Sequence, residues 1–88
     1  MVINRSTRFQ RAFKKLPSPI QESFFERIRL FAENPFHPRL GTHKLKGKLS
    51  ECYAFYLRDG FRVYFDFVKS DEVNLLYAGP HDHYGRWR

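Results

Sequence analysis

The apolar residues of this chain change period once, and that change limits the fold more than any other feature. Phe9, Ala12, Phe13 and Leu16 follow the i, i+3, i+4, i+7 spacing of a buried helical stripe, and Ile20, Phe24, Ile28, Phe31 and Ala32 form a second stripe. From Tyr53 onward the spacing is two: Tyr53, Phe55 and Leu57 alternate with Ala54 and Tyr56, and Phe61, Val63, Phe65 and Phe67 alternate with Arg62, Tyr64 and Asp66. A third run, Val73 to Ala78, follows a Lys69-Ser70-Asp71 turn. Helices followed by a run of strands describe an α+β chain. Val2-Ile3 reads as a short strand ahead of them. Ser6 or Thr7 can cap the first helix, and the Leu16-Pro17 step ends it. Ser18 can cap the second, with Pro19 at its first position, and Asn34-Pro35 stops it. The expected fold is an N-terminal strand, an antiparallel helix hairpin and a three-strand antiparallel meander, with the helices on one face of the sheet.

With 88 residues, no internal repeat and no linker, the chain is expected to form one domain over residues 1–88. Ten Phe, five Tyr and one Trp exclude a chain that stays unfolded. Cys52 is the one cysteine, so no internal disulfide framework is possible and a reducing cytoplasm is the expected location. No apolar run approaches the roughly 18 residues of a membrane span, and no signal peptide is expected from the opening MVINRSTRFQ.

The turn Arg58-Asp59-Gly60 decides which residues share a face. A two-residue Asp59-Gly60 loop pairs Leu57 with Arg62 and sets an apolar face against a polar one. A three-residue loop with Gly60 left-handed pairs Leu57 with Phe61 and Tyr56 with Arg62, which is the register expected. It places Tyr53, Phe55, Leu57, Phe61, Val63, Phe65 and Phe67 under the helices. Tyr56, Arg62, Tyr64 and Asp66 remain on the open face, where Arg and Tyr suit phosphates and stacked bases. The alternative for Arg62 is a plain surface pair with Asp66.

Charge points the same way. Sixteen Lys+Arg against nine Asp+Glu leave a formal net charge of +7. Residues 1–15 carry Arg5, Arg8, Arg11, Lys14 and Lys15 without an acid. Residues 34–50 carry Arg39, Lys44, Lys46 and Lys48 with His37 and His43, again without an acid, and residues 35–50, with two Pro and two Gly, read as an exposed loop. Segregated charge of this kind suits a polyanion, and nucleic acid is the usual one. Lys44, Lys46 and Lys48 stand at alternate positions. If extended they form a row of point charges for a phosphate backbone, and they read equally as a solvated loop.

The chain closes with His81-Asp82-His83-Tyr84-Gly85-Arg86-Trp87-Arg88. Histidine serves as general acid or base, and Tyr and Trp can stack on a base. The alternative is an exposed polar terminus whose aromatics sit on the sheet edge. No second ligand cluster stands at zinc-site spacing, so neither a metal nor another cofactor is expected. No Gly-rich phosphate loop, Ser/His/Asp set or carboxylate pair is apparent.

Taken in order, these segments resemble the RelE/ParE superfamily of bacterial toxin–antitoxin toxins. Lys44-Leu45-Lys46-Gly47 is similar to that family's Lys-Leu-x-Gly segment before the second strand. Leu57-Arg58-Asp59-Gly60-Phe61-Arg62-Val63-Tyr64 is similar to its Leu-Arg…Tyr-Arg-Val-x-Tyr hairpin. Leu76-Tyr77-Ala78-Gly79, followed by His81 and Tyr84, is similar to its closing strand. Pro80-His81 replaces the Arg or Lys that many RelE-type members carry after the closing Gly, and His83-Tyr84 looks more like the YoeB-type ending.

The resemblance implies the toxin of a type II toxin–antitoxin system, a metal-independent endoribonuclease acting on mRNA in the ribosomal A site and neutralised by a cognate antitoxin. It implies that Lys44 and Lys46 contact phosphate near the cut, that Arg62 binds the scissile phosphate and that Arg58 supports it from the turn. His81 or His83 then transfers the proton and Tyr84 positions a nucleotide. The chemistry is self-consistent, because RNA supplies its own 2′-OH nucleophile and the protein has only to align it, move protons and hold charge. The competing readings are a ParE-type toxin that inhibits DNA gyrase without cutting, an RNA-binding homologue without catalysis, and a toxin homologue that has lost activity. The charge segregation predicts an acidic antitoxin segment crossing the helix hairpin or the open face.

Overall fold

The computed structural model describes residues 1–47 and 51–80. Strand β1 (Val2–Arg5) leads into helices α1 (Thr7–Lys14) and α2 (Ser18–Glu33). A 3-10 turn (Pro38–Leu40) precedes β2 (His43–Lys44), and β3 (Tyr53–Tyr56), β4 (Arg62–Lys69) and β5 (Glu72–Gly79) follow. The sheet runs β1-β5-β4-β3-β2, with β1 parallel to β5 and every other pair antiparallel. This is the α+β arrangement expected, widened by one strand.

Ser6 is the cap of α1. Its Oγ accepts from the Phe9 amide at 3.0 Å and donates to the Leu76 carbonyl at 3.2 Å, so one hydroxyl starts the helix and ties it to β5. In α2 the expected cap differs. Pro17 takes the N-cap position and Ser18 is already helical, with no side-chain cap hydrogen bond. The hairpin is held instead by Gln21, whose Nε2 donates to the Phe13 carbonyl at 2.9 Å and satisfies an end of α1.

The second stripe is also corrected at its end. Ile20, Phe24 and Phe31 are buried, Ile28 is half-buried, Ala32 is exposed, and Ser23 is buried in addition. From Ile20 to Phe31 is 31 − 20 = 11 residues, close to three turns of about 3.6. Phe31 therefore lies under Ile20, and Ala32 rotates out. Phe31 meets Phe55 and Phe65 with ring centroids 4.9 Å apart in each case. Phe9, Leu16, Leu57, Val63, Val73 and Leu75 complete the core between helices and sheet. Each such aromatic contributes about 1.5–3 kcal/mol by leaving water.

The β3–β4 register is the expected one, with Tyr56 opposite Arg62, Phe55 opposite Val63 and Leu57 bonded to the Phe61 carbonyl at 2.7 Å. Asp59 joins Gly60 in the left-handed region, at φ 56° and 79°. Two expectations fail. Residues 35–50 are not simply an exposed loop, because Leu40 enters the main core and Leu45 the opposite face of the sheet, pinning β2 against β3 between them. Nor does the face away from the helices lie open throughout. Tyr64 is 0% exposed there, beneath Leu45 and beside Tyr77, opposite the small Ala54 that leaves room for its ring. As placed, Tyr64 cannot stack on a base.

Candidate functional site

Three adjacent strands bring His43, Tyr56 and Arg62 together on the face away from the helices. Alternation assigns that face: His43 pairs with Ala54, Ala54 with Tyr64 and Tyr56 with Arg62, while Tyr53, Phe55 and Val63 point into the core. The Arg62 guanidinium carbon lies 4.7 Å from the centre of the Tyr56 ring. The His43 ring stacks on the same tyrosine at 5.5 Å with 30° between planes. Cation and ring attract through the ring's quadrupole, which holds the guanidinium without using its N–H donors.

The tyrosine is fixed from behind. Its carbonyl accepts from Arg27 Nη1 at 3.1 Å, and the same nitrogen donates to the Arg39 carbonyl at 3.1 Å. One α2 side chain thus secures β3 and the 3-10 turn at once. Gly41 follows at φ 63°, and a Cβ built there stands 2.6 Å from Tyr56 Cδ2. The ring occupies the space of the missing side chain. Opposite Arg62 across β4–β5 is Gly79, and the Tyr77 ring of the same strand lies over that glycine, its Cε2 2.9 Å from where a Cβ would stand.

His43 has a defined tautomer in its neutral form. Its Nδ1 lies 3.0 Å from the Gly41 carbonyl, which can only accept, so Nδ1 carries the proton and Nε2 keeps the lone pair. Arg62 Nε is a buried atom with no hydrogen-bond partner among the described residues. Arg62 and Asp66 form no ion pair, although they share a face; four residues along a strand separate them by about 13 Å. Asp66 sits at the other end of the face with Asn74 opposite, and Asn4 there bridges Glu72 and Asn74 at 2.8 and 3.1 Å. The face is therefore cationic at one end, apolar at Tyr64 and acidic or amide-bearing at the other. An anion is drawn to the Arg62 end.

The sequence-predicted residues divide among several places. Tyr56 and Arg62 come together. Tyr64 lies on the same face but beneath other side chains. Arg58 is exposed in the hairpin turn, its Nε 4.0 Å from Asp59 Oδ2, and its amide donates to Ser23 Oγ at 3.2 Å. Lys44 pairs with Tyr53, on the helix-bearing side of the edge strand, and Gly47 at φ 71° turns the chain after exposed Lys46. Lys48, His81, His83 and Tyr84 lie outside the described residues. His43 and Arg27 were missed. His43 alternates with buried Leu45, which was the available signal of a strand. For Arg27 the sequence offers no signal that separates it from its neighbour Arg29.

The sequence matches no protein-family model and no curated protein. Solved structures do match. A YoeB/ParE toxin from Agrobacterium tumefaciens superposes over 92% of this chain and 99% of its own, with a TM-score of 0.76 at 14% identity. This is the fold of the RelE/ParE toxins. A chain of the RelBE2 toxin–antitoxin complex from Mycobacterium tuberculosis covers 91% of this chain and 96% of its own, with a TM-score of 0.73 at 18% identity. The isolated RelE toxin of E. coli covers 90% and 82%, with a TM-score of 0.68 at 22% identity. Within this RelE/ParE-like sheet, the His43–Tyr56–Arg62 group lies on the face that the helices leave uncovered.

Proposed function

We propose that the chain is the toxin of a type II toxin–antitoxin pair and an endoribonuclease that cuts mRNA on the ribosome. The observation that carries this reading is the Arg62–Tyr56–His43 group: an arginine whose Nε has no hydrogen-bond partner among the described residues, a tyrosine held in place and a histidine whose Nδ1, not Nε2, meets the Gly41 carbonyl. In the proposed reaction the RNA 2′-OH gives its proton to His43 Nε2 and attacks the adjacent phosphorus. The bond from phosphorus to the 5′ oxygen breaks, and that oxygen takes a proton from His81 or His83. The products are a 2′,3′-cyclic phosphate and a 5′-hydroxyl. Arg62 donates to the non-bridging oxygens as negative charge builds on them. Lys46 adds positive charge nearby, and Tyr84 aligns a nucleotide.

An acidic antitoxin is the proposed protein partner. The net charge of +7 favours it, and so does the helix hairpin, where Phe25 is 56% exposed and stands edge-on to Phe13 at 5.7 Å as an apolar anchor. The test is to map RNA 5′ ends on programmed ribosomes for wild type, Arg62→Ala and His43→Gln. Wild type is expected to leave new 5′-hydroxyl ends, and Arg62→Ala to cut about 10²–10³-fold more slowly while staying folded. His43→Gln is expected to lose most of the rate. Absence of cleavage together with inhibited gyrase supercoiling overturns the reading in favour of a ParE-type toxin.

A further inference from the structure

Helix α1 displays Arg8, Arg11, Lys14 and Lys15, all exposed, and no acidic residue. At about 3.6 residues per turn, Arg8, Arg11 and Lys15 fall within about 60° of one another, and Lys14 lies next to them. Phe9 and Leu16 are buried on a face turned away from this stripe, and buried Ala12 lies between that face and Arg8. From Arg8 to Lys15 the rise is about 10 Å.

This arrangement works against the helix that carries it. Arg8 sits in the first turn, where the helix dipole favours an acid, and there is none. Arg8 and Arg11 at i, i+3, and Arg11 and Lys15 at i, i+4, are like-charge neighbours that destabilise an isolated helix. No carboxylate answers them, since Arg58–Asp59 is the one ion pair among the described residues. The stripe also contains no exposed apolar side chain; it is bordered by exposed, polar Thr7 on one side and by Ala12, buried at 9%, on the other. A folded protein partner would find no anchor there, whereas a phosphate backbone needs none.

We propose that the α1 stripe binds an RNA phosphate backbone distinct from the strand held at Arg62. This rests on the reading of the chain as an RNA-directed toxin. Helix α1 packs over β5 on the helix-bearing side, whereas Arg62, Tyr56 and His43 face the other side of the sheet. Nucleotides at Arg62 therefore do not reach the stripe. A second RNA segment does, and a duplex suits it, because its regularly spaced phosphates let a stripe about 10 Å long meet several on one strand.

The experiment measures binding of the full chain to a 20-base-pair RNA duplex without single-stranded ends, across a salt series. The stripe variant is Arg8→Gln/Arg11→Gln/Lys15→Gln. A charge-matched control, Arg29→Gln/Arg39→Gln/Lys69→Gln, removes three exposed cations elsewhere. The stripe variant is expected to bind at least about tenfold more weakly at low salt. Its slope of log affinity against log salt should be shallower by about two, since each lost phosphate contact removes about 0.7–0.9. The control should keep the wild-type slope. Equal losses in both variants overturn the proposal, because they mean that net charge alone drives binding. A stripe variant that binds the duplex like wild type but loses affinity for polyglutamate also overturns it, and assigns the stripe to an acidic protein. If the triple variant does not fold, Arg8→Gln alone should lower the slope by about 0.7–0.9, and an unchanged slope overturns the proposal. Duplex binding needs no cleavage. A failure of ribosomal cutting therefore leaves this outcome readable, and an active nuclease whose stripe variant binds normally defeats this inference alone.

Discussion

Arg27 on α2 and Tyr56 at the end of β3 are joined across the two layers of the molecule by a single hydrogen bond, with Nη1 donating to the tyrosine carbonyl at 3.1 Å. The same nitrogen holds Arg39, two residues before the glycine against which the Tyr56 ring lies. Arg27 touches neither Arg62 nor His43 in the contacts described. It positions the ring that both of them use.

Arg27→Met keeps the apolar stem and removes the donors, leaving two carbonyls without their partner. Stability should fall by about 1 kcal/mol, because both carbonyls are near enough to the surface for water to replace part of the loss. Ribosomal cleavage, measured well below the melting transition so that all the protein is folded, should still fall by about 10–100-fold through misplacement of Tyr56. A rate equal to wild type at full folding means that Arg27 is structural only.

Gly41→Ala and Gly60→Ala form a matched pair. Both glycines have positive φ, 63° and 79°, so both variants carry the backbone cost of about 1 kcal/mol. At Gly60 nothing stands within 4 Å of the added Cβ, whereas at Gly41 the Tyr56 ring stands at 2.6 Å. Denaturant unfolding should show Gly41→Ala to be the less stable by about 1–3 kcal/mol, the cost of overpacking. Equal losses mean that the ring moves aside freely.

Ser23→Ala removes an acceptor as well as a donor. Ser23 is 7% exposed, and its hydroxyl donates to the Ile20 carbonyl at 2.7 Å while accepting from the Arg58 amide at 3.2 Å. Losing the acceptor leaves the hairpin-turn amide unpaired, at about 1–3 kcal/mol, offset slightly by the better helix propensity of alanine. The melting temperature should fall by about 4–8 °C per kcal/mol for a chain of this size. No change in melting means that water replaces the bond.

Alternation of side chains along strands is a local property, and the sequence determined everything that follows from it. Phe55, Val63 and Phe65 had to share one face and Tyr56 and Arg62 the other, and the Arg58–Gly60 loop had to keep those faces matched, because a slip of one residue inverts a strand. Helix stripes and the breaks at Pro17 and Asn34 follow from equally local rules. Other features depended on partners far along the chain. Tyr64 had the parity of an exposed residue and is buried because Leu45, nineteen positions earlier (64 − 45 = 19), crosses over it. His43 joined the site because the two leucines around it are drawn into opposite cores and make a strand of what composition describes as loop. Arg27 reaches Tyr56 across twenty-nine residues, and nothing in a run of helical charges distinguishes it from Arg29. The local rules assign each side chain to a face. Which side chains meet there is decided by burial and hydrogen bonding between segments distant in the chain, and those energies exist only once the layers have come together.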